Sequence, residues 1–388
     1  MIGDYLEYLV EKKIGRVLEG VKSIGDVDAL ILTSRSALRY ILSELWPPLI
    51  IDQLGVPVQA MVLDLRSHTA TVYVSAMEYL AFKEKISDIM RTWGIDVVPT
   101  SKYLSEVYGT RTVGDIREHL KKVVEGYKIV AVDEMGTILG SVLKERNVIV
   151  IKGVINEIRR KKLDEEVERI KRCVEICRIA LQRFVESLRP GLTEMQMANM
   201  LERYLIEAGA QGIAFNTIVA VGKNTRNPHH VPQPGSVYHS RQPLLIDFGA
   251  YVDGYVCDIT RVIVPKSVEP MYSETTCMCR VVENAIDRVI SSMSVGTPYP
   301  DLYKIACSAL ESYSKYFIHG LGHGLGVEVH EHPYITPTSE DRVELNDVVT
   351  IEPGIYLESV GVRIEDDVAI TARGVEVLSR DIPRVIEV

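Results

Sequence analysis

The chain has 388 residues, room for two domains of ordinary size, each able to bury its own core. Its 53 acidic and 44 basic side chains give a formal charge of −9, which argues against nucleic acid or an anionic membrane surface as the main partner. No apolar run approaches the roughly 20 residues needed to cross a bilayer.

Met1 to Lys22 carries Asp4, Glu7, Glu11 and Glu19 among apolar positions, the pattern of an amphipathic helix and not of a signal peptide. Six cysteines are scattered without metal-ligand spacing, so reduced thiols and a cytoplasmic location are expected. Cys173 and Cys177 lie one helical turn apart, whereas Cys277 and Cys279 leave a redox or metal pair open. Ala29 to Thr33, Ala60 to Asp64, Ala70 to Ser75, Ile129 to Asp133 and Asn147 to Lys152 are rich in Val, Ile and Leu and read as strands. Met77 to Thr92 and Val113 to Val124 read as helices between them, giving an α/β domain with a mixed sheet. That part holds no glycine-rich nucleotide motif and no acids or histidines at catalytic spacing, so it should shape a pocket or an interface.

A charged stretch, Glu157 to Glu166, then opens a long helix whose apolar face is Leu163, Val167, Ile170, Val174, Cys177, Leu181, Phe184 and Leu188. Arg189-Pro190-Gly191 ends it, and Thr193 with Gln196 forms a capping box for the next helix. A boundary near residue 155 is expected, with domains over 1–155 and 156–388.

Seven of the nine histidines fall in the second part: His229, His230, His239, His319, His323, His330 and His332. Two acids accompany them on a predicted hairpin. Leu244 to Ala250 and Tyr251 to Arg261 are β-prone, and Asp253-Gly254 is a turn signal between them. Folding there brings Asp247 and Asp258 together, and two carboxylates about 5 Å apart repel unless a cation lies between them. In the bland alternative, Asp253 caps the turn and Asp258 pairs with Arg261. The arrangement recurs over Val348 to Gly354 and Val362 to Asp366, with Ser359-Val360-Gly361 as the turn, setting Glu352 near Glu365. Four acids suit Mn²⁺, Fe²⁺ or Co²⁺, and His323, in a glycine-rich run, supplies a nitrogen ligand. Arg363 should share the strand face of Glu365 and orient a ligand carboxylate.

The segments IDFGAYVDGYVCDITR, HGLGHGLGVEVHEHP, TIEPGIY and GVRIEDD resemble the motif set of the pita-bread metallopeptidases, which include methionine aminopeptidase, prolidase and X-Pro aminopeptidase. The resemblance implies a mixed-sheet N-terminal domain followed by a pseudo-symmetric α/β catalytic domain of pita-bread type, the first domain being similar to that of the prolidase and X-Pro aminopeptidase branch. It implies two divalent ions (Mn²⁺, Co²⁺, Fe²⁺ or Zn²⁺) on Asp247, Asp258, His323, Glu352 and Glu365, with Asp258 and Glu365 bridging. Asn227-Pro228-His229-His230 resembles the family's P-H-H segment, so His229 would touch the substrate or the oxyanion. The stretch from there to Asp247 is one residue longer than usual, however, and counting back from Asp247 selects His230. His330 matches the family's other active-site histidine, and His319 is a candidate for substrate contact or support.

These assignments imply hydrolysis of Xaa-Pro bonds at the N-terminus of dipeptides or short peptides. Glu352 would move the proton, and His229 and His330 would steady the oxyanion or the substrate carboxylate. The family suggests a homodimer. The alternatives are an aminopeptidase of other specificity, such as methionine, a creatinase-type hydrolase, and a non-enzymatic binding protein of the same fold.

Overall fold

The β-prone runs of the first part assemble into one six-stranded mixed sheet. Its strands are β1 (Ala29–Leu32), β2 (Val58–Asp64), β3 (Thr69–Ser75), β4 (Gly94–Thr100), β5 (Val130–Val132) and β6 (Val148–Val150), in the order β4-β3-β2-β1-β5-β6. The pairs β1/β2 and β2/β3 are antiparallel, and the other three are parallel. The computed structural model describes residues 2–43, 58–87, 94–101, 109–135, 139, 148–266 and 270–388. Ile31, Val62, Tyr73, Val98, Val130 and Val132 form a core with Leu120 of the helix Ile116–Glu125. The helix Ile2–Lys22 buries Val10, Ile14, Val17 and Val21, at the spacing of one face.

Several elements depart from the sequence expectation. Strand β4 was not anticipated, nor was the short helix Arg35–Ile41, which is capped by Ser34. The helix expected over Met77 to Thr92 runs Tyr79–Ser87, and residues 88–92 lie outside the described part. Asn147 also lies outside it, and Lys152 opens a helix instead of ending a strand.

The chain divides into two compact units, Met1–Arg159 and Arg160–Val388. The charged stretch expected to start one long helix is two helices, Lys152–Arg160 and Asp164–Ser187. The cations beside the break explain it. Arg160 is buried on Asp347 (2.7 Å) and Lys162 on Glu331 (2.5 Å), while the Leu163 N–H donates to Glu166 Oε2 (2.8 Å) and starts the second helix.

The second unit is built on two broken hairpins of like design. In the first, β9 (Leu244–Phe248) continues past Gly249 as β10 (Ala250–Val252), and the chain returns as β11 (Tyr255–Val256) and, after Cys257-Asp258, as β12 (Ile259–Val264). Asp253 (φ 48°) and Gly254 (φ 86°) make the turn, both in the left-handed region that a two-residue hairpin needs. In the second, β15 (Val348–Ile351) is interrupted by Glu352-Pro353 before β16 (Gly354–Tyr356), and β17 (Gly361–Arg363) by Ile364-Glu365 before β18 (Asp366–Thr371). Flanking strands complete sheets ordered β11-β10-β7, β20-β12-β9-β8 and β14-β13-β15-β18-β19, with β16-β17 a separate pair; β7 is Gly212–Ile213, β8 Ile218–Val221, β13 Gly322–Gly324, β14 Glu331–Ile335, β19 Gly374–Val377 and β20 Val385–Glu387.

The helix Pro270–Ser292 buries Met278, Val282, Ile286 and Val289 in a core shared with Val349, Ile351, Val362 and Val368. Cys173 and Cys177 are buried on the helix Asp164–Ser187, and the Cys177 thiol lies 3.4 Å from that of Cys257. Cys277 is exposed while Cys279 is buried, so these two point apart on their helix. Among the described residues no helix is long and apolar enough to cross a membrane.

Strand β13 passes so close to β15 that a Cβ at Gly322 would strike the Thr350 carbonyl oxygen. Gly322→Ala is therefore expected to lower unfolding free energy by about 1–3 kcal/mol in urea titration. A loss within 0.5 kcal/mol, on the order of an ordinary surface change, would show that the two strands part easily.

Candidate metal centre

The interruptions of the two hairpins carry three of the four acids. Asp247 sits within β9, opposite Thr260 of β12, and Asp258, Glu352 and Glu365 all lie at strand breaks. A break frees the backbone from its own ladder, and the freed groups bond across the site. The Glu365 N–H donates to the Thr260 carbonyl (3.2 Å), the Glu352 N–H to the Leu321 carbonyl (2.8 Å), and the Asp258 N–H to Asp367 Oδ2 (3.2 Å). The crossing is anchored by buried Arg261, which reaches the Glu365 carbonyl (2.5 Å) and Asp366 (2.9 Å). Arg261 thus does not pair with Asp258, as the bland alternative had it.

Asp247, Asp258 and Glu365 each bring an oxygen to a point where these atoms lie within 4.8 Å of one another. His323, Glu352 and Glu365 form a second such group, and Asp258, His323 and His330 a third. Glu365 and Asp258 each belong to two groups, so the ligand atoms form one continuous cluster. The His323 ring nitrogen Nδ1 lies 3.2 Å from the Gly324 carbonyl, which turns Nε2 toward Glu352 (3.3 Å) and Asp258 (3.8 Å).

Electrostatics set these acids apart from ordinary carboxylates. Burial, then repulsion from Glu365 and Asp247, pushes the Asp258 carboxyl well above its ordinary range. Burial, then Glu352 and Asp247, does the same to Glu365. Burial raises Asp247 too, despite Arg363 beside it. Glu352 alone is lowered: burial opposes this, but its contact with the His323 imidazole prevails. Asp247 Oδ1 and Asp258 Oδ1 are buried with no protein partner. Orphaned carboxylate oxygens beside an imidazole nitrogen are the donor set that divalent cations need, and the residues fit such ions.

Around the cluster runs a network of support. Arg363 donates to Asp247 Oδ2 (2.6 Å), Thr260 Oγ1 (3.2 Å), Tyr356 Oη (3.0 Å) and the Pro228 carbonyl (3.3 Å). The carboxylate it grips is that of Asp247, across the site, and not that of its strand neighbour Glu365. Thr260 donates to Glu365 Oε2 (2.7 Å) and so links the two. The His319 Nδ1–H donates to the Gly320 carbonyl (2.8 Å), leaving Nε2 to accept from Tyr356 (2.9 Å). Burial lowers the pKa of His319, in keeping with a neutral ring.

All nine candidate side chains (Asp247, Asp258, His323, Glu352, Glu365, His229, His319, His330 and Arg363) line one cavity of about 690 Å³. The His330 ring is 4.2 Å from that of His323, and desolvation and then His323 press its pKa down to about 4. The cavity wall takes His229 and leaves out His230, whose Nε2 is bonded to buried Glu194 (2.7 Å). Glu194 also accepts from the Val221, Asn224 and Gln233 N–H groups and braces the whole loop. His239 is exposed and His332 lies by Asp341 (3.6 Å); neither lines the cavity. The sequence reading missed Thr260, Tyr356, Glu194 and Asp367. Only Thr260 had a local signal, since it stands two residues after Asp258 and strand alternation puts it on the same face.

The sequence profile of metallopeptidase family M24 matches residues 168–372, just over half of the chain and the whole ligand cluster. The chain belongs to this family, the pita-bread metallopeptidases. M24 enzymes use divalent metals, and the cluster is where this member would hold them. An uncharacterised peptidase of Staphylococcus aureus strain MW2 is 34% identical over 228 residues, 58% of this chain and 64% of that protein, so the match spans just under two thirds of its length. Among solved structures, an X-Pro aminopeptidase from Thermotoga maritima is 28% identical with TM-score 0.76, covering 93% of this chain and 98% of that one. A prolidase from Pyrococcus furiosus is 27% identical with TM-score 0.75, covering 94% and 99%.

Thr260→Val keeps the side chain's shape and removes the hydroxyl shared by Glu365 and Arg363. Titration calorimetry with Mn²⁺ should show affinity weakened roughly 10–100-fold. Unchanged affinity would mean that Glu365 needs no help from Thr260.

Proposed function

We propose that this metallopeptidase hydrolyses Xaa-Pro bonds at the N-terminus of short peptides, with two divalent ions held by Asp247, Asp258, His323, Glu352 and Glu365. The observation that carries the reading is the linked ligand cluster on the floor of a cavity whose walls add His229, His330 and apolar side chains. The ions, when bound, supply Lewis acidity and make water acidic enough to attack near neutral pH. Asp258, His323 and Glu365 each belong to two of these groups and would help to hold the ions together with Asp247 and Glu352.

The protein's own groups then divide the work. Glu352 is the least buried of the acids, its side chain 17% exposed against 11% for Asp247 and 7% for Asp258. It can accept the proton that water gives up and pass it to the leaving nitrogen while the oxygen bonds to the carbonyl carbon. His330 and His229 flank the cluster and would steady the oxyanion. Arg363, through Asp247 and Thr260, keeps the floor in register.

Proline enters through the substrate's shape. Its nitrogen carries no hydrogen, so recognition must rest on the ring and on an apolar wall, and Phe215, Ile218 and Val329 offer one. The X-Pro activities named for the Thermotoga and Pyrococcus proteins support the same assignment. We extend the proposal to a domain boundary near residue 155, with domains over 1–155 and 156–388, a homodimer, and a cytoplasmic location.

The test is a panel of Ala-Pro-Ala, Ala-Ala-Ala and Met-Ala-Ser with enzyme reconstituted in Mn²⁺, Co²⁺ or Zn²⁺. Ala-Pro-Ala should be cut at least tenfold faster than the others, and Asp258→Asn or His323→Ala should abolish cleavage while the circular dichroism is retained. Preferential cleavage of Met-Ala-Ser would favour a methionine-type enzyme instead, and full activity in either variant would overturn the ligand assignment.

A further inference from the structure

The cavity changes character from floor to mouth. Its floor is buried carboxylate and imidazole, with Glu365 2% and His323 6% exposed. Its mouth carries Ile318, 66% exposed, and Tyr334, 49% exposed, with half-buried Val329 between floor and rim. Both rim residues are fastened to the site. Ile318 adjoins His319, and Tyr334 of β14 is the cross-strand partner of His323, so its side chain stands on the same face about 5 Å away. Large apolar side chains left in water beside a cavity mark a surface that a ligand covers.

The direction of entry identifies that ligand. An enzyme that removes the N-terminal residue takes the free amine inward, toward the acids of the floor, so the chain beyond the scissile bond leaves through the mouth. Arg363 is the sole guanidinium or ammonium group among the described residues lining the cavity, and its donors go to Asp247, Thr260, Tyr356 and the Pro228 carbonyl. Asn227, His229 and His330 are also exposed on the cavity wall, but where Ile318, Val329 and Tyr334 stand the departing chain meets an apolar surface.

We propose that the Ile318–Val329–Tyr334 rim selects peptides that continue past proline with an apolar residue, so that tripeptides and longer chains with an apolar third side chain are preferred over Xaa-Pro dipeptides. The proposal rests on the Xaa-Pro reading and deepens it. A dipeptide would bring its carboxylate against this apolar rim, whereas a leucine in the third position would bury there.

The test compares kcat and KM of the reconstituted full chain on Ala-Pro, Ala-Pro-Leu, Ala-Pro-Asp and Met-Ala-Leu, with Ile318→Ser, Tyr334→Ser and the double variant alongside. Ala-Pro-Leu should exceed both Ala-Pro and Ala-Pro-Asp by roughly tenfold or more in kcat/KM, the scale of burying one leucine side chain. The double variant should raise KM for Ala-Pro-Leu roughly tenfold more than for Ala-Pro-Asp, on the same scale. Equal use of Ala-Pro and Ala-Pro-Leu, or a preference that survives the double variant, would overturn the proposal and leave the Xaa-Pro reading standing. A double variant that drops to a smaller assembly in size-exclusion chromatography with the preference intact would assign the rim to a second copy of the chain. Cleavage of Met-Ala-Leu with no Xaa-Pro peptide cut would remove the underlying reading, and this proposal with it.

Discussion

The second unit is organised around a repulsion that its own side chains do not cancel. Four carboxylates and an imidazole are drawn from the chain between residues 247 and 365 into linked groups whose ligand atoms lie within 4.8 Å of one another. Arg363 partly offsets Asp247, and His323 steadies Glu352, but the Thr260 hydroxyl on Glu365 and the more distant His323 beside Asp258 do not suffice, and both acids are held well above the ordinary carboxylate range by burial and by their neighbours. A cluster so placed takes up protons or cations. The buried, unpartnered oxygens of Asp247 and Asp258 say where cations would go.

The fold supplies the means of crowding these groups. A continuous hairpin would spend every N–H and C=O on its own ladder and would leave its side chains on a regular pleat. Interrupting both hairpins at Cys257-Asp258, Glu352-Pro353 and Ile364-Glu365 frees backbone groups to bond across from one hairpin to the other. Arg261 and Arg363 then fasten the crossing from opposite ends. Arg261 takes the Glu365 carbonyl and Asp366, and Arg363 takes Asp247 and Tyr356. Stability and chemistry are therefore carried by the same few residues, and Thr260, which joins the two halves through one hydroxyl, shows how closely they are coupled.

Much of this was legible in the sequence because its signals are local. Asp253-Gly254 announces a turn, β-branched alternation announces strands, and acids inside such runs stand out. What stayed hidden depends on tertiary partners or on context. Strand β4 contains Pro99, which argues against a strand until the run is seen at the edge of its sheet, where a missing N–H costs little. The break before Asp164 follows from Arg160 and Lys162 seeking Asp347 and Glu331, more than 160 residues away. The choice between His229 and His230 turns on Glu194, a buried acid 36 residues upstream that takes His230 for itself. Counting residues back from Asp247 selects His230, which the cavity wall leaves out.

We propose that this crowded site is relieved by a pair of cations, and anomalous diffraction from crystals grown with Mn²⁺ tests this most directly. Two peaks about 3.5–4 Å apart are expected, among Asp247, Asp258, His323, Glu352 and Glu365. A single peak, or none at saturating Mn²⁺ with all five side chains in place, would contradict it.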